Sequence, residues 1–334
     1  MKTFMIERYG AKDGGHIAEM PDPQMGEDDV LVRIRAAGVN PLDLKLRDGA
    51  FKAFLPYRLP LVLGNDFAGV VIQVGSAVTQ LKVGDEVYAR PDKERIGTFA
   101  ELIAVHQDDV AVKPATLTME EAASLPLVAL TSWQALVERA QVQPGQKVLI
   151  HAGSGGVGTI AIQLARHLGA HVATTASTAK VGLVRELGAD IVVDYRKQAF
   201  ETVLDGYDVV LDTIGGETLE KSLRVLRPGG KVISVAGPPD AAFARELGLN
   251  PILRLVMGAL SFRTRRRAKR RDVTYSFLFM EADGDQLRKL TPLIETGRIR
   301  PVVDRVFPFE ETREALEYVE EGRAKAGKVV VAMT

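Results

Sequence analysis

Three glycines, Gly153, Gly155 and Gly158, stand as G-x-G-x-x-G within "VLIHAGSGGVGTIAIQLARHLGAHVATTASTAK", residues 148–180. An apolar β-type run precedes them and a helix-type run follows. The first glycine of such a turn permits the tight bend, the second lets backbone approach a diphosphate, and the third lets helix and strand pack closely. Gly153, Ser154, Gly155, Gly156, Val157 and Gly158 would then offer N–H groups and the positive end of a helix to the anion. A glycine-rich turn without a ligand is the plainer reading. The order strand, helix, second strand favours a dinucleotide.

The end of the second strand speaks about the ribose. A site for NAD usually places Asp or Glu there to bind the 2′-hydroxyl. This chain has no acidic residue between Gly158 and Glu186. It offers Ser177 and Thr178 as neutral donors, Lys180 as a cation, and Tyr195 at the end of the following strand. One or two charge-assisted hydrogen bonds to a 2′-phosphate, about 1.5–3 kcal/mol each, decide a ten- to hundred-fold preference. The expected cofactor is NADPH. The alternative is a solvated lysine at a helix start and a tyrosine capping a strand.

These residues must be positioned by elements, and the chain shows two regimes. Up to about Pro114 it reads as short strands broken by glycine, proline and aspartate, among them "VLVRIRAAGV", "FAGVVIQVGSAV", "GDEVYA" and "GTFAELIAV". From Met119 strands alternate with helical segments. "KVLIHAG", "HVATTA", "IVVDY", "YDVVLDTIG" and "GKVISVAG" are apolar runs of the kind buried on both faces of a parallel sheet. "VGTIAIQLARHLG", "KVGLVRELGA" and "GETLEKSLRVLRPG" have helical apolar spacing and a glycine stop. The expected class is α/β, an all-β unit followed by a doubly wound parallel sheet.

Composition sets outer limits. The chain has 334 residues, enough for about two domains. It contains 43 Lys plus Arg, 43 Asp plus Glu and no cysteine, so global charge favours no polyanionic partner, and disulfides and thiolate metal sites are excluded. "MKTFMIERYG" alternates and carries charge, so it reads as a strand rather than a signal peptide. "PILRLVMGALSF" contains Arg254 and is too short to span a bilayer. A soluble, cytoplasmic protein is expected. The run Arg263–Arg271, "RTRRRAKRR", holds seven cations in nine residues and leaves net −7 on the rest of the chain. A solvated loop or surface helix, docking on an anionic membrane after "ILRLVMGALSF", and RNA binding are the three readings of it.

The motifs together resemble the medium-chain dehydrogenase/reductase superfamily over essentially the whole chain. The resemblance rests on "AAGVNPLDLKLRDG", "LGNDFAGVVIQVGSAVTQLKVGDEVYA", "GTFAELIAV", "AASLPLVALTSWQAL", "GSGGVG" and "GKVVV". Within it the chain resembles the zinc-free quinone oxidoreductase branch, and its alkenal/enone reductases most, through "RDGAFKAFLP", "ATTASTAK", "ELGADIVVDY" and "PVVDRVFPFEETREAL". This implies a GroES-like β-barrel catalytic domain, residues 1–122 with 284–334, and a Rossmann domain, residues 123–283. It also implies a nicotinamide in the cleft between them and a homodimer. Zinc members carry a cysteine and a histidine where this chain has Asn40 and Asn65. Neither amide is a plausible zinc ligand, so no metal is expected.

The resemblance places the Asn40 segment and Thr131 beside the nicotinamide, and brings the backbone of Leu278 and Phe279 to its amide. Ile214 and Gly237 close later strands at the ligand-binding carboxyl edge. Several have a structural alternative: Asn40, Pro41 and Asp43 suit a helix start, Thr131 a helix cap, and the strand of Leu278 and Phe279 the dimer seam that the resemblance implies. Lys45 matches a lysine facing cofactor or substrate and would stabilise an enolate, or is a solvated helix lysine. Phe51 stands where some relatives, enoyl-thioester reductases among them, have a tyrosine donor. Tyr57 is the nearest other phenol, with packing as its alternative role. The expected activity is NADPH-dependent, zinc-independent reduction of quinones or α,β-unsaturated carbonyls. An enoyl-thioester reductase and an NADPH-binding RNA or membrane protein with incidental turnover are the rivals.

Overall fold

A computed structural model describes residues 1–10 and 14–333. The chain divides into two compact units, Met1–Leu130 with Glu281–Thr334, and Thr131–Met280.

The first unit opens with β1 (Lys2–Ile6), β2 (His16–Glu19), β3 (Asp29–Val39), helix α1 (Pro41–Arg47), β4 (Leu61–Val62), β5 (Asp66–Val74), β6 (Glu86–Ala89), β7 (Leu102–His106) and β8 (Val110–Val112). Helix α2 (Met119–Ala123) follows, and α3 (Pro126–Trp133) carries the chain into the second unit, where it runs on into a wider turn at Gln134–Arg139. In β3 Val30, Val32 and Ile34 are buried while Arg33 and Arg35 are exposed, the period-two pattern of a strand with one wet face. Val30, Val32 and Ile34 pack with Phe67, Val71, Val87, Ile103 and Val105.

The second unit contributes β9 (Lys147–Ile150), α4 (Gly156–His167), β10 (His171–Ala176), α5 (Val181–Glu186), β11 (Ile191–Asp194), β12 (Tyr207–Asp212), α6 (Gly216–Val225), β13 (Leu226–Ser234), α7 (Ala241–Glu246), α8 (Pro251–Lys269) and β14 (Thr274–Phe277). The strands form one parallel sheet in the order β11-β10-β9-β12-β13-β14. That is the doubly wound order, with its switch point between β9 and β12. Val148, Leu149, Ile150, Val210 and Leu211 are fully buried, as uninterrupted apolar runs require. Residues 226–229, read from sequence as the end of a helical segment, instead open β13, where Leu226 pairs with Tyr207.

The chain then returns to the first unit through α9 (Gly284–Glu295), β15 (Val303–Pro308), α10 (Thr312–Glu320) and β16 (Lys328–Ala332). The larger sheet runs β15-β16-β3-β5-β6-β8, with β7 also on β3, and a smaller one runs β2-β1-β4. The return stitches the termini together: β16 pairs antiparallel with β3. Arg47 of α1 also forks onto Glu320 of α10 at 2.7 and 3.0 Å. Among the described residues no helix is long and apolar enough to cross a membrane.

Candidate functional site

In the second unit the turn after β9 is shaped by what it cannot contain. A Cβ on Gly153 would lie 2.1 Å from Thr174 Oγ1, whose hydroxyl holds the Ile150 carbonyl at 2.6 Å. A Cβ on Gly158 would lie 2.3 Å from the Ala152 carbonyl oxygen and 2.6 Å from Gly153 Cα. At Gly155 the nearest atom would be that carbonyl at 3.3 Å, so the missing side chain there leaves room for a ligand. Gly155 is the N-cap of α4 and donates no side chain to it, so the first N–H groups, Gly156 and Val157, carry the helix's partial positive charge unopposed. Ala152 sits at φ +50, the left-handed bend that sends Ser154 round the turn. The cradle fits a diphosphate.

His151 directly precedes the cradle and is fully buried. Its Nε2 lies 2.8 Å from Ser222 Oγ and its Nδ1 3.2 Å from Thr175 Oγ1. Burial lowers its pKa to about 4, so it is a neutral core residue.

At the ribose end the structure corrects one reading. Parallel register sets Asp194, the last residue of β11, beside Ala176, the last of β10. The Thr178 hydroxyl donates to Asp194 at 2.6 Å, so its proton is spent and Thr178 is no donor for a 2′-phosphate. That bond and the Arg196 N–H hold the Asp194 carboxyl below its usual range. Lys197 lies 3.8 Å away. Ser177 and Lys180 are half-buried, and their side chains make no hydrogen bond or ion pair among the described residues. Tyr195 is 58 % exposed, and Arg196 beside it adds a cation that sequence reasoning passed over. The signal was present, since the arginine directly follows the tyrosine at a strand end.

The later strand ends are fixed by a pair also missed from sequence. Asp212 ends β12 and Ser234 ends β13, both fully buried and in register. Ser234 Oγ donates to Asp212 Oδ2 at 2.6 Å. The other oxygen of Asp212 accepts from the N–H groups of Ile214 and Gly215, while Ser234 Oγ accepts from that of Gly237. Ile214 is thereby held outward, half exposed, and Gly237 is pinned where a Cβ would meet Tyr275 Oη at 2.7 Å. Strand β14 ends at Phe277, one residue before Leu278, whose N–H bonds the Ser234 carbonyl at 2.9 Å. Leu278 and Thr131 are buried and Phe279 is half-buried.

In the first unit Asn40, Asp43, Asn65, Asp66 and Lys328 form one buried polar network. Asp43 accepts from the Asn40 N–H at 2.7 Å and from Asn65 Nδ2 at 2.6 Å. Asp66 accepts from Asn40 Nδ2 at 2.7 Å and from the Leu127 N–H at 3.3 Å. Lys328 donates to the Asn40 side-chain oxygen and sits 3.5 Å from Asp66. Asn40 therefore turns its side chain to the network, and Asp43 supplies the helix-start bond that was expected of it. Only the GKVVV lysine, polar at the head of an apolar strand, signalled this network's cation. Among the described residues no three His, Cys, Asp or Glu side chains converge. A divalent ion at the Asn40–Asn65 position would face the Lys328 ammonium.

Burial pushes the Asp43 carboxyl up to about 7, with the Asp66 charge adding and the Asn65 bond opposing. A carboxyl raised in the folded state stabilises fully below its unfolded value, and that contribution is lost as pH rises through about 7. The stability difference between the wild type and Asp43→Asn, measured by denaturant titration, should therefore shrink from pH 4.5 to 7.5. A constant difference refutes the assignment.

Of the remaining candidates, Lys45 is exposed on α1 and makes no ion pair among the described residues. The Tyr57 hydroxyl donates to the Lys93 carbonyl at 2.6 Å, and burial raises its pKa to about 12. Its proton is committed to backbone, so the structure gives it a packing role rather than that of an acid. Phe51 packs edge-on against Phe54. Arg90, fully buried after β6, has no hydrogen-bond partner for Nε or Nη1 among the described residues.

Two family models match the chain: the alcohol dehydrogenase GroES-like domain over residues 26–115 and the zinc-binding dehydrogenase over 187–331. The NADPH-dependent alkenal/one oxidoreductase of Arabidopsis thaliana chloroplasts is 39 % identical, across 99 % of this chain and 79 % of its own. The quinone oxidoreductase of Coxiella burnetii superposes with a TM-score of 0.86 at 30 % identity, over 100 % of this chain and 99 % of that one. The Escherichia coli quinone oxidoreductase, solved with NADPH, gives 0.81 at 25 % identity, over 99 % and 100 %.

Proposed function

Because the chain belongs to the medium-chain dehydrogenase/reductase superfamily, in its quinone and alkenal/one oxidoreductase branch, we propose that it is an NADPH-dependent, zinc-independent reductase of quinones or α,β-unsaturated carbonyls. The observation that carries this reading is the donor set at Asn40 and Asn65. Both are amides, and Asn40 is locked to Lys328. With no Lewis acid to polarise a simple alcohol or ketone, the acceptor must already be electrophilic.

Bound NADPH supplies a hydride from nicotinamide C4. In the dinucleotide unit, the Gly153–Gly158 backbone binds the diphosphate, and Ser177, Lys180 and Tyr195, joined by Arg196, hold the 2′-phosphate. The strand-end residues Ile214, Gly237, Leu278 and Phe279, with Thr131, border the nicotinamide. In the other unit the buried network sets α1, which carries Asn40 at its start and Lys45 one turn on. The Lys45 ammonium donates to the developing enolate oxygen, where a preorganised donor is most effective. Solvent protonates the α-carbon, since Phe51 has no proton to give and the Tyr57 hydroxyl is hydrogen-bonded to the Lys93 carbonyl. The same phenylalanine weighs against the thioester rival. The proposal includes a cytoplasmic homodimer joined along β14, the edge of the parallel sheet.

The test is oxidation of NADPH and NADH by purified, metal-analysed protein, with a quinone, a short enone and a crotonyl thioester in parallel. Zinc-independent NADPH turnover of quinone or enone is expected, and Ser177→Asp should cut the NADPH preference about ten- to hundred-fold by setting a carboxylate against the phosphate. Thioester preference, or tight NADPH binding without turnover, overturns the reading.

A further inference from the structure

Helix α8 carries a surface that the reductase reading does not use. It spans Pro251–Lys269, and Met257, Ser261, Thr264 and Ala268 form its buried face at helical spacing. The opposite face is bare. Ile252, Leu255, Val256, Ala259 and Leu260 fall at i, i+3, i+4, i+7 and i+8, one continuous stripe. Ile252 and Leu255 are 74 % and 75 % exposed, Leu260 is 60 %, and Phe262 flanks the stripe at 59 %. The same stripe continues as Arg263, Arg266, Arg267 and Arg270, so its apolar half leads directly into a cationic half. Of the seven cations from Arg263 to Arg271, only Arg267 forms an ion pair among the described residues, with Glu220.

We infer that α8 docks this protein on an anionic lipid surface. An exposed apolar face of this size carries a hydration cost that only a partner relieves. The partner must be apolar against the first half and anionic against the second, and must present both on one side of the helix. A bilayer interface rich in acidic headgroups does this: the leucine half enters the acyl boundary while the arginines lie among the phosphates. A nucleic acid satisfies the cations alone and leaves Leu255 and Leu260 in water. A second copy laid parallel along the stripe would set four arginines against four, and one laid antiparallel would cover the leucines while leaving the arginines without an anion. The inference does not depend on which acceptor is reduced, because it concerns a face rather than the cofactor unit's strand ends.

Flotation of the full-length protein with phosphatidylcholine vesicles, with and without phosphatidylglycerol, tests it. Binding to the anionic vesicles that weakens with salt is expected, and little binding to the zwitterionic ones. Each exposed cation near such a surface contributes about five-fold, so Arg263→Gln/Arg266→Gln/Arg270→Gln should weaken binding about a hundred-fold. Leu255→Gln/Leu260→Gln should weaken it at least ten-fold by removing the inserted apolar area. Both variants change only exposed side chains, so melting temperature and turnover of a water-soluble quinone should stay at wild-type values. Equal binding to both vesicle types, or anionic binding untouched by either variant, overturns the inference. So does a dimer that the leucine variant dissociates without any lipid binding, and so does salt-sensitive RNA binding that the leucine variant retains in full.

Discussion

Gly158→Val should lower NADPH affinity by about a hundred-fold or more and lower the melting temperature with it. A Cβ at this position meets three backbone atoms, the Ala152 carbonyl oxygen at 2.3 Å, Gly153 Cα at 2.6 Å and the Gly153 carbonyl carbon at 2.8 Å, and none has a rotamer to yield. Helix α4 must therefore move off β9, at an overpacking cost of about 1–3 kcal/mol. The same movement tilts the Gly156 and Val157 N–H groups away from the diphosphate, so binding loses more than folding does. Fluorescence titration with NADPH beside a thermal melt separates the two. Gly155→Ala is the comparison, because its Cβ meets only one atom, at 3.3 Å, and fills ligand space instead. It should weaken NADPH while leaving the melt nearly unchanged. If Gly158→Val binds NADPH as the wild type does, the diphosphate is not held by this turn.

Lys328→Met should destabilise the fold by about 3–5 kcal/mol, the cost of leaving a buried charge without its partner. Lys328 is the cation hydrogen-bonded into a network holding Asp43 and Asp66, all three nearly or fully excluded from water. Without it, Asp66 keeps Asn40 Nδ2 and the Leu127 N–H but loses its compensating charge, and the Asn40 side-chain oxygen loses its donor. Asp66→Asn in the Lys328→Met background should raise the denaturation midpoint again by removing the uncompensated charge. A double variant less stable than Lys328→Met alone would show that the network is held by shape and not by charge. Because Asn40 starts α1, turnover should fall in parallel as Lys45 loses its place.

The strands, the cradle and the class of fold were legible because each depends on neighbours in sequence. Alternation in β3, unbroken apolar runs in the parallel strands and glycines at fixed spacing are local patterns. The helix end at residues 226–229 was not, since Leu226 is recruited to the sheet by Tyr207, nineteen residues earlier. The ribose end shows the same limit more sharply. No acid stands between Gly158 and Glu186, yet Asp194 arrives from the next strand through parallel register and accepts the Thr178 hydroxyl's hydrogen bond.

What the sequence alone determined, then, is the dinucleotide turn, the absence of any thiolate metal ligand, and the two-part α/β organisation. All three follow from residue identity and short-range spacing. Tertiary structure decided the rest: that Asp212 and Ser234 clamp the strand ends, that Lys328 reaches Asn40 across 288 positions, and that α8 turns its leucines and arginines outward. The α8 stripe is periodic whichever side is buried, and a lysine in a strand names no partner. Burial and long-range pairing choose between such equal patterns, because the free energy of hiding a charge or exposing a leucine depends on what the folded chain sets beside it.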